Sequence, residues 1–245
     1  MQRILMLSIT LLPLACKPAG EPATPESAEH HGHAHGHDAG AHAEVNEHGY
    51  RGHHRFDDPA KWAAEFDSPE RAAWQKPDEL VASLAIGEDA IVADLGAGTG
   101  YFAIRLAKVA SAGKVFAVDI EPSMVAWLGQ RAHDEQLANL IAIQGGADDP
   151  GLPESVDLAF MCDVFHHLAD PSAYFARVGE RLRPGGRVVI VDFRPDNPDD
   201  APGPPAAMRT SAAQVEAAMV EAGFRLIAPD AGLLQWQYVL VFERA

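Results

Sequence analysis

Basic residues are scarce in this 245-residue chain. Lysine and arginine total 19 against 35 acids, for a formal net charge of −16. That balance argues against a nucleic-acid phosphate backbone as partner. Cysteine is nearly absent: Cys16 and Cys162 stand in unrelated contexts, which excludes a disulfide framework and any zinc-type cysteine spacing. The apolar run from Ile4 to Leu14 is too short to cross a bilayer as a helix. The chain as a whole is 47% hydrophobic, enough for the core of one α/β domain with additions at its ends.

Large apolar side chains are also nearly missing from 17–54, which is rich in Ala, Pro, Glu and His. Such a segment buries too little surface to offset its ordering entropy and reads as a flexible tether. Nine of the twelve histidines fall around it: His30, His31, His33, His35, His37, His42, His48, His53 and His54. Neutral imidazoles at this density give weak divalent-metal affinity. No rigid three- or four-ligand geometry can be read from them, so no metal ligand is assigned. A soluble tether with incidental metal affinity is the preferred reading.

Residues 1–16 read as a targeting segment, with Arg3 ahead of the apolar run and Pro13-Leu14-Ala15-Cys16 at its end. A small residue before a cysteine resembles a bacterial lipoprotein signal, although Pro13 replaces the Leu-like residue usual there. The resemblance implies a lipid on Cys16, membrane attachment and a place in the bacterial cell envelope. Lys17 stands where an acid often retains such proteins at the inner membrane, which points to a periplasm-facing outer-membrane position.

Residues 55–88 carry helical periodicity, with Trp62, Phe66 and Trp74 as bulky apolar positions and Pro59, Pro69 and Pro77 at helix starts. The segment is expected to form a helical lid at the open edge of a nucleotide-type site, with Trp62 and Phe66 read as additional core. Beyond it, strands alternate with helices. Strands are expected at 90–95, 114–120, 140–144, 156–162, 187–193, 225–228 and 237–242, and helices at 100–110, 123–135, 172–182 and 212–222. This alternation predicts a mostly parallel sheet covered on both faces. The short final connection suits an antiparallel hairpin.

The chain is organised around Ile91-Val92-Ala93-Asp94-Leu95-Gly96-Ala97-Gly98-Thr99-Gly100-Tyr101-Phe102. An apolar run ends in an acid, and a glycine turn leads into a helical pattern. Glycines at 96, 98 and 100 remove the Cβ atoms that would keep a ligand from the backbone. Tyr101 occupies the place of the third glycine of the dinucleotide fingerprint. Asp119 ends the second strand, where an acid accepts the ribose hydroxyls of an adenosine ligand; a helix N-cap is the plainer reading, and the two roles are compatible. Ile120 and Met124 are placed to flank the adenine.

Taken in order, this turn, Asp119, the loop Gly146-Ala147-Asp148-Asp149, the entry Pro150 to Asp157 and the turn Pro184-Gly185-Gly186 resemble the class I S-adenosylmethionine-dependent methyltransferases. The nearest members are the small-molecule enzymes that include quinone-biosynthesis methyltransferases, and the likeness covers about 56–245. The lead-in from Arg55 to Glu79 also resembles the leader of some bacterial methyltransferases. The resemblance implies a Rossmann-like α/β fold, with a mostly parallel seven-stranded sheet closed by a C-terminal antiparallel hairpin. It implies S-adenosylmethionine as cofactor, held by Asp94, Gly96, Ala97, Gly98, Thr99, Gly100, Asp119, Ile120, Met124 and Asp148, the last receiving the adenine amino group, with Asp149 as alternative.

The methyl acceptor is expected to be a small molecule. Its pocket is expected at Asp163-Val164-Phe165-His166-His167, because ligands of open α/β sheets sit beyond the carboxyl ends of the strands, with the loop 194–210 at its border. Asp163 and His166 are the leading catalytic candidates, His166 as general base. The alternative holds both histidines in structural hydrogen bonds, since an already ionised acceptor needs no base. Two further functions fit parts of the chain. One is an NAD-type oxidoreductase, against which Tyr101 and the terminal hairpin count. The other is a tethered metal- or ligand-binding module without catalysis, which the histidine tract would suit.

Overall fold

The computed structural model describes residues 56–245. The segment 1–16 read as a targeting signal, Cys16, the histidine tract and the expectations attached to them lie outside the described residues. Three short helices come first: α1 (Pro59–Phe66), α2 (Pro69–Gln75) and α3 (Pro77–Ser83), each with proline in its first turn, where a missing N–H costs nothing. Asp58 and Ser68 cap the first two, accepting the amides of Lys61 and Arg71 at 3.2 Å each. Lys76, at φ 46°, ends α2 and starts α3.

The remainder alternates: β1 (Ile91–Leu95), α4 (Ala103–Val109), β2 (Lys114–Asp119), α5 (Pro122–Asp134), β3 (Leu140–Gln144), β4 (Val156–Cys162), α6 (Pro171–Glu180), β5 (Leu182–Phe193), α7 (Ala212–Glu221), β6 (Phe224–Ala228) and β7 (Gln237–Arg244). The strands form one sheet in the order β3-β2-β1-β4-β5-β7-β6. Strands β1 to β5 run parallel, and β7 runs antiparallel to both β5 and β6.

Burial follows the two-residue period of a strand. Leu158, Phe160 and Cys162 of β4, with Val189 and Val191 of β5, join one core with Leu106 and Leu128 from the helices. The alternate residues Ala159, Met161, Val188 and Ile190 join the other, with Phe175, Val178 and Met219. Both faces are therefore covered, as parallel strands require. Burying one Phe160 contributes about 1.5–3 kcal/mol, and its complete enclosure holds the end of β4 against that of β1.

Several boundaries differ from the expected ones. The helix after the glycine turn begins at Ala103, not 100, because Gly100 has φ +93°, outside the right-handed helical region. Strand β5 begins at Leu182, which pairs with Val156; the pairing then skips to Leu158 with Arg187. The Pro184-Gly185-Gly186 turn is thus an irregularity inside the strand, with Gly185 at φ +78°. The same early pairing ends α6 at Glu180. Trp62 and Phe66 are not core: α1 has no buried residue. Their rings stack on each other, centroids 5.2 Å apart, beside Phe56.

Candidate functional site

Four neighbouring strands end in an aspartate at the same edge of the sheet: Asp94 on β1, Asp119 on β2, Asp163 just past β4 and Asp192 on β5. Apolar residues precede each acid, so the strand is held in the core and the carboxylate is delivered at its carboxyl end.

The glycine turn is pinned to β2, because the amides of Gly96 and Ala97 both donate to the Val118 carbonyl at 2.8 Å. A Cβ at Gly96 (φ +77°) would lie 2.4 Å from a methyl of Val164, so the loop after β4 closes directly on this glycine. The amide of Gly98 donates to Asp119 Oδ2 at 2.8 Å, and that of Glu121 to Asp119 Oδ1 at 3.0 Å. Each oxygen keeps a further lone pair. Burial raises the Asp119 pKa, while those two amides pull it back. Asp119 is not the helix N-cap; that position is Glu121, without a side-chain cap bond.

Asp94 is 3% exposed, and its Oδ2 has no hydrogen-bond partner among the described residues. Burial first, and then the charge of Asp119, push its pKa up to about 7; the Ala103 amide and the Arg71 guanidinium act the other way. A buried, unpartnered carboxylate oxygen is a cost the fold retains, and a cation delivered there removes it.

The helices α1 and α2 are tied to this edge at two points. Thr99 Oγ1 donates to Asp67 Oδ1 at 2.9 Å, and Arg131 of α5 reaches both Asp67 Oδ2 at 2.5 Å and the Thr99 carbonyl at 2.7 Å. Farther along, Asp163 stands at φ 61°. Its carboxylate accepts from Arg71 Nη2 at 3.0 Å, Gln75 Nε2 at 3.2 Å and the Gln237 amide. Burial raises the pKa of Asp163, and Arg71 opposes that rise.

His166 lies in a 3₁₀ turn, Phe165–His167, with 7% of its surface exposed. Its Nδ1 is 2.9 Å from Asp192 Oδ1 and 3.0 Å from Oδ2. Asp192 is fully buried and is itself held by the amides of His166 (3.2 Å) and Phe193 (2.7 Å). A carboxylate only accepts, so Nδ1 carries the hydrogen and, in the neutral ring, Nε2 holds the lone pair. Burial disfavours the imidazolium, but the hydrogen bond to Asp192 and the charges of Asp192 and Asp163 outweigh it, and the pKa of His166 is raised.

The sequence-predicted residues therefore divide. Asp94, Gly96, Ala97, Gly98, Thr99, Gly100 and Asp119 converge on one turn, with Asp163 and His166 across the end of β4. Thr99 turns its hydroxyl to Asp67, between α1 and α2. Ile120 is half-buried, whereas Met124 is fully enclosed and offers a ligand no surface, since its place on α5 aims inward. Asp148 is exposed; Asp149 is engaged in its own turn, accepting the Gly151 amide at 2.8 Å. Phe165 belongs to the core, its ring 5.8 Å from that of Phe175. In the loop 194–210, Gly203 folds back onto the ring of Phe193, which meets Trp74 at 5.7 Å. Sequence reasoning missed Asp67, Arg71, Gln75, Arg131, Asp192 and Gln237. A legible signal existed for Asp192, an acid closing an apolar run, and for Arg71 and Gln75, four apart on one helix face.

Residues 93–190, from β1 to β5, match a family described as a methyltransferase domain. The chain is 33% identical over 98 residues to malonyl-[acyl-carrier protein] O-methyltransferase of Hahella chejuensis, covering 40% of this chain and 34% of that one. It is 28% identical over 135 residues to 27-O-demethylrifamycin SV methyltransferase of Amycolatopsis mediterranei, 54% of this chain and 49% of the other. The chain thus spans between about a third and a half of the length of these curated relatives. A SAM-dependent methyltransferase from Aquifex aeolicus superposes with a TM-score of 0.70 at 24% identity, over 77% of this chain and 99% of that one. An O-methyltransferase from neocarzinostatin biosynthesis, in complex with S-adenosyl-L-homocysteine and 1,4-dihydroxy-2-naphthoic acid, gives 0.61 at 17% identity, over 77% and 59%. The fold is the Rossmann-like methyltransferase fold, a seven-stranded mixed sheet with antiparallel C-terminal strands.

Proposed function

We propose that this domain transfers a methyl group from S-adenosylmethionine to a hydroxyl of a small-molecule acceptor. The observation that carries the cofactor reading is the unpartnered Asp94 Oδ2 beside the glycine turn. A cofactor bearing an α-ammonium meets the one need this buried carboxylate has. Asp119 adds free lone pairs for two ribose hydroxyls, and Asp148 stands exposed at the adenine end of the same edge. Gly98, whose added Cβ would meet only Phe66 at 3.9 Å, leaves open backbone beside Asp119, while Gly96 makes room for Val164.

The cofactor supplies an electrophilic methyl on a sulfonium. The protein's own work is orientation, exclusion of water and handling of a proton. Asp192 sets the tautomer and angle of His166, leaving Nε2 free to accept a proton from the acceptor. A buried His–Asp pair supports an acceptor that must lose a proton, a hydroxyl above all, over one already ionised. Trp74, half-buried against the enclosed ring of Phe193, adds apolar surface on the acceptor side. Asp163, with three donors on its carboxylate, is committed to holding the helical lid.

The test is methyl transfer itself. The full chain, incubated with methyl-labelled S-adenosylmethionine and fractionated extract of the source cell, is expected to label an extractable small molecule and release an equal amount of S-adenosylhomocysteine. Label that appears only in protein, or nowhere, would overturn the proposal.

A further inference from the structure

We propose that Arg71 of α2 binds the carboxylate at the methionine end of the cofactor, so that the N-terminal helices complete the cofactor site. The inference rests on the S-adenosylmethionine reading above and goes beyond it, since Arg71 lies outside residues 93–190 that match the methyltransferase domain.

Strand order sets the direction of the ligand. β2, β1 and β4 are adjacent, and they present Asp119, Asp94 and Asp163 in that order. A ligand with its ribose on Asp119 and its ammonium on Asp94 extends toward β4. Its carboxylate then enters a region lined by Asp94, Asp163 and Asp192, where an uncompensated anion is strongly disfavoured. A cation is required there, and Arg71 meets that need. Its guanidinium carbon sits 4.4 Å from the ring centroid of Tyr101 and 5.9 Å from that of Phe102, against the glycine turn, while Nη2 touches Asp163. The other arginines nearby pair with acids away from the end of β4, Arg131 with Asp67, Arg105 with Asp78 and Arg194 with Asp230, whereas Arg71 is the one paired with Asp163 among the described residues.

Arg71 is also held ready. Its Nε donates to Gln75 Oε1 at 2.6 Å, Nη1 to the Phe66 carbonyl at 3.2 Å and Nη2 to Asp163 Oδ2 at 3.0 Å. A guanidinium has five N–H groups, so these bonds leave one on each terminal nitrogen, the number a carboxylate takes from a fork. Gln75 is fully buried, and its amide nitrogen is spent on Asp163, Gln237 and Cys162. Gln75 and Asp163 are therefore positioning residues that orient Arg71. The side chain of Arg71 is only 14% exposed, so its donors face the protein rather than solvent.

The experiment compares two probes on the full chain by calorimetric titration. S-adenosylhomocysteine carries the amino-acid end, and 5′-methylthioadenosine is the same adenosyl thioether without it. Arg71→Ala is expected to weaken S-adenosylhomocysteine about 10- to 100-fold and leave 5′-methylthioadenosine within about twofold. Arg71→Lys, which keeps the charge and loses the fork, is expected to fall between. If Arg71→Ala does not fold, Arg71→Gln carries the same comparison. Unchanged S-adenosylhomocysteine affinity, or an equal loss for both probes, would overturn the assignment and leave Arg71 as a structural latch. Failure of the unaltered protein to bind either probe would overturn the cofactor reading itself and this inference with it.

Discussion

Asp94→Asn is expected to raise the melting temperature of the free protein and to lower its cofactor affinity by at least about 100-fold. The two effects share one cause. The folded carboxyl has its pKa pushed from 3.8 to about 7, by burial first and by Asp119 second. Between those values the folded state holds a proton that the unfolded state has released. Stability therefore falls as pH rises through that window and stays reduced above it. A shift of about three units sets a ceiling of roughly 4 kcal/mol. Asparagine removes the charge but leaves a buried amide to satisfy, at about 1–3 kcal/mol, so the net gain is smaller. Calorimetry should show a rise of several degrees at pH 8 and almost none at pH 5, given about 2–4 °C per kcal/mol for a domain of this size.

Binding moves the other way. Removing one partner of a buried ion pair costs about 3–5 kcal/mol, and the cofactor's ammonium loses its partner in the variant. In the unaltered protein, affinity should weaken as pH drops below about 7 and Asp94 takes up its proton; in Asp94→Asn that slope should vanish. A lower melting temperature at pH 8 together with unchanged affinity would contradict this role.

His166→Ala should slow methyl transfer by about 10²- to 10⁴-fold, the range of a positioned general base, while S-adenosylhomocysteine affinity stays within a few fold. The rate should rise with pH, because only neutral imidazole accepts a proton. Its midpoint should lie above the ordinary histidine value of 6.5, since Asp192 and Asp163 outweigh the opposing effect of burial. Asp192→Asn should move that midpoint to lower pH and still reduce the plateau rate. The charge that raised the pKa is gone, and so is the acceptor that set the tautomer. A purely structural Asp192 would lower the amount of folded enzyme without moving the midpoint. Turnover by His166→Ala at the normal rate across the pH range would remove the base assignment.

The strands and the glycine turn were legible because each is written in a short stretch: an apolar run, an acid, a turn. Asp94 and Asp119 follow from that pattern, and the same pattern, Val188 to Asp192, marked the partner of His166 without being read as such. What could not be read were pairings over long separations. Arg71 meets Asp163 across 92 residues and Asp67 meets Arg131 across 64; neither local periodicity nor composition encodes such meetings. Trp62 and Phe66 illustrate the converse. Two aromatics four apart on a helix resemble a core face, yet α1 buries none of its residues. Phe66 instead lies over the glycine turn, its ring 3.9 Å from where a Cβ of Gly98 would stand. Boundaries shifted where left-handed glycines, Gly100 and Gly185, interrupted an element whose composition was otherwise regular.

The central claim is that the edge formed by Asp94, the glycine turn and Asp119 binds an adenosyl sulfur cofactor. Titration of the full chain with S-adenosylhomocysteine, beside Asp119→Ala and with NADH as a second probe, tests it most directly. The expected result is saturable binding of S-adenosylhomocysteine, none of NADH, and a loss of about 10- to 100-fold in folded Asp119→Ala, as removal of a charge-assisted acceptor requires. Equal S-adenosylhomocysteine affinity in the folded variant, or no binding by the unaltered protein, would contradict it.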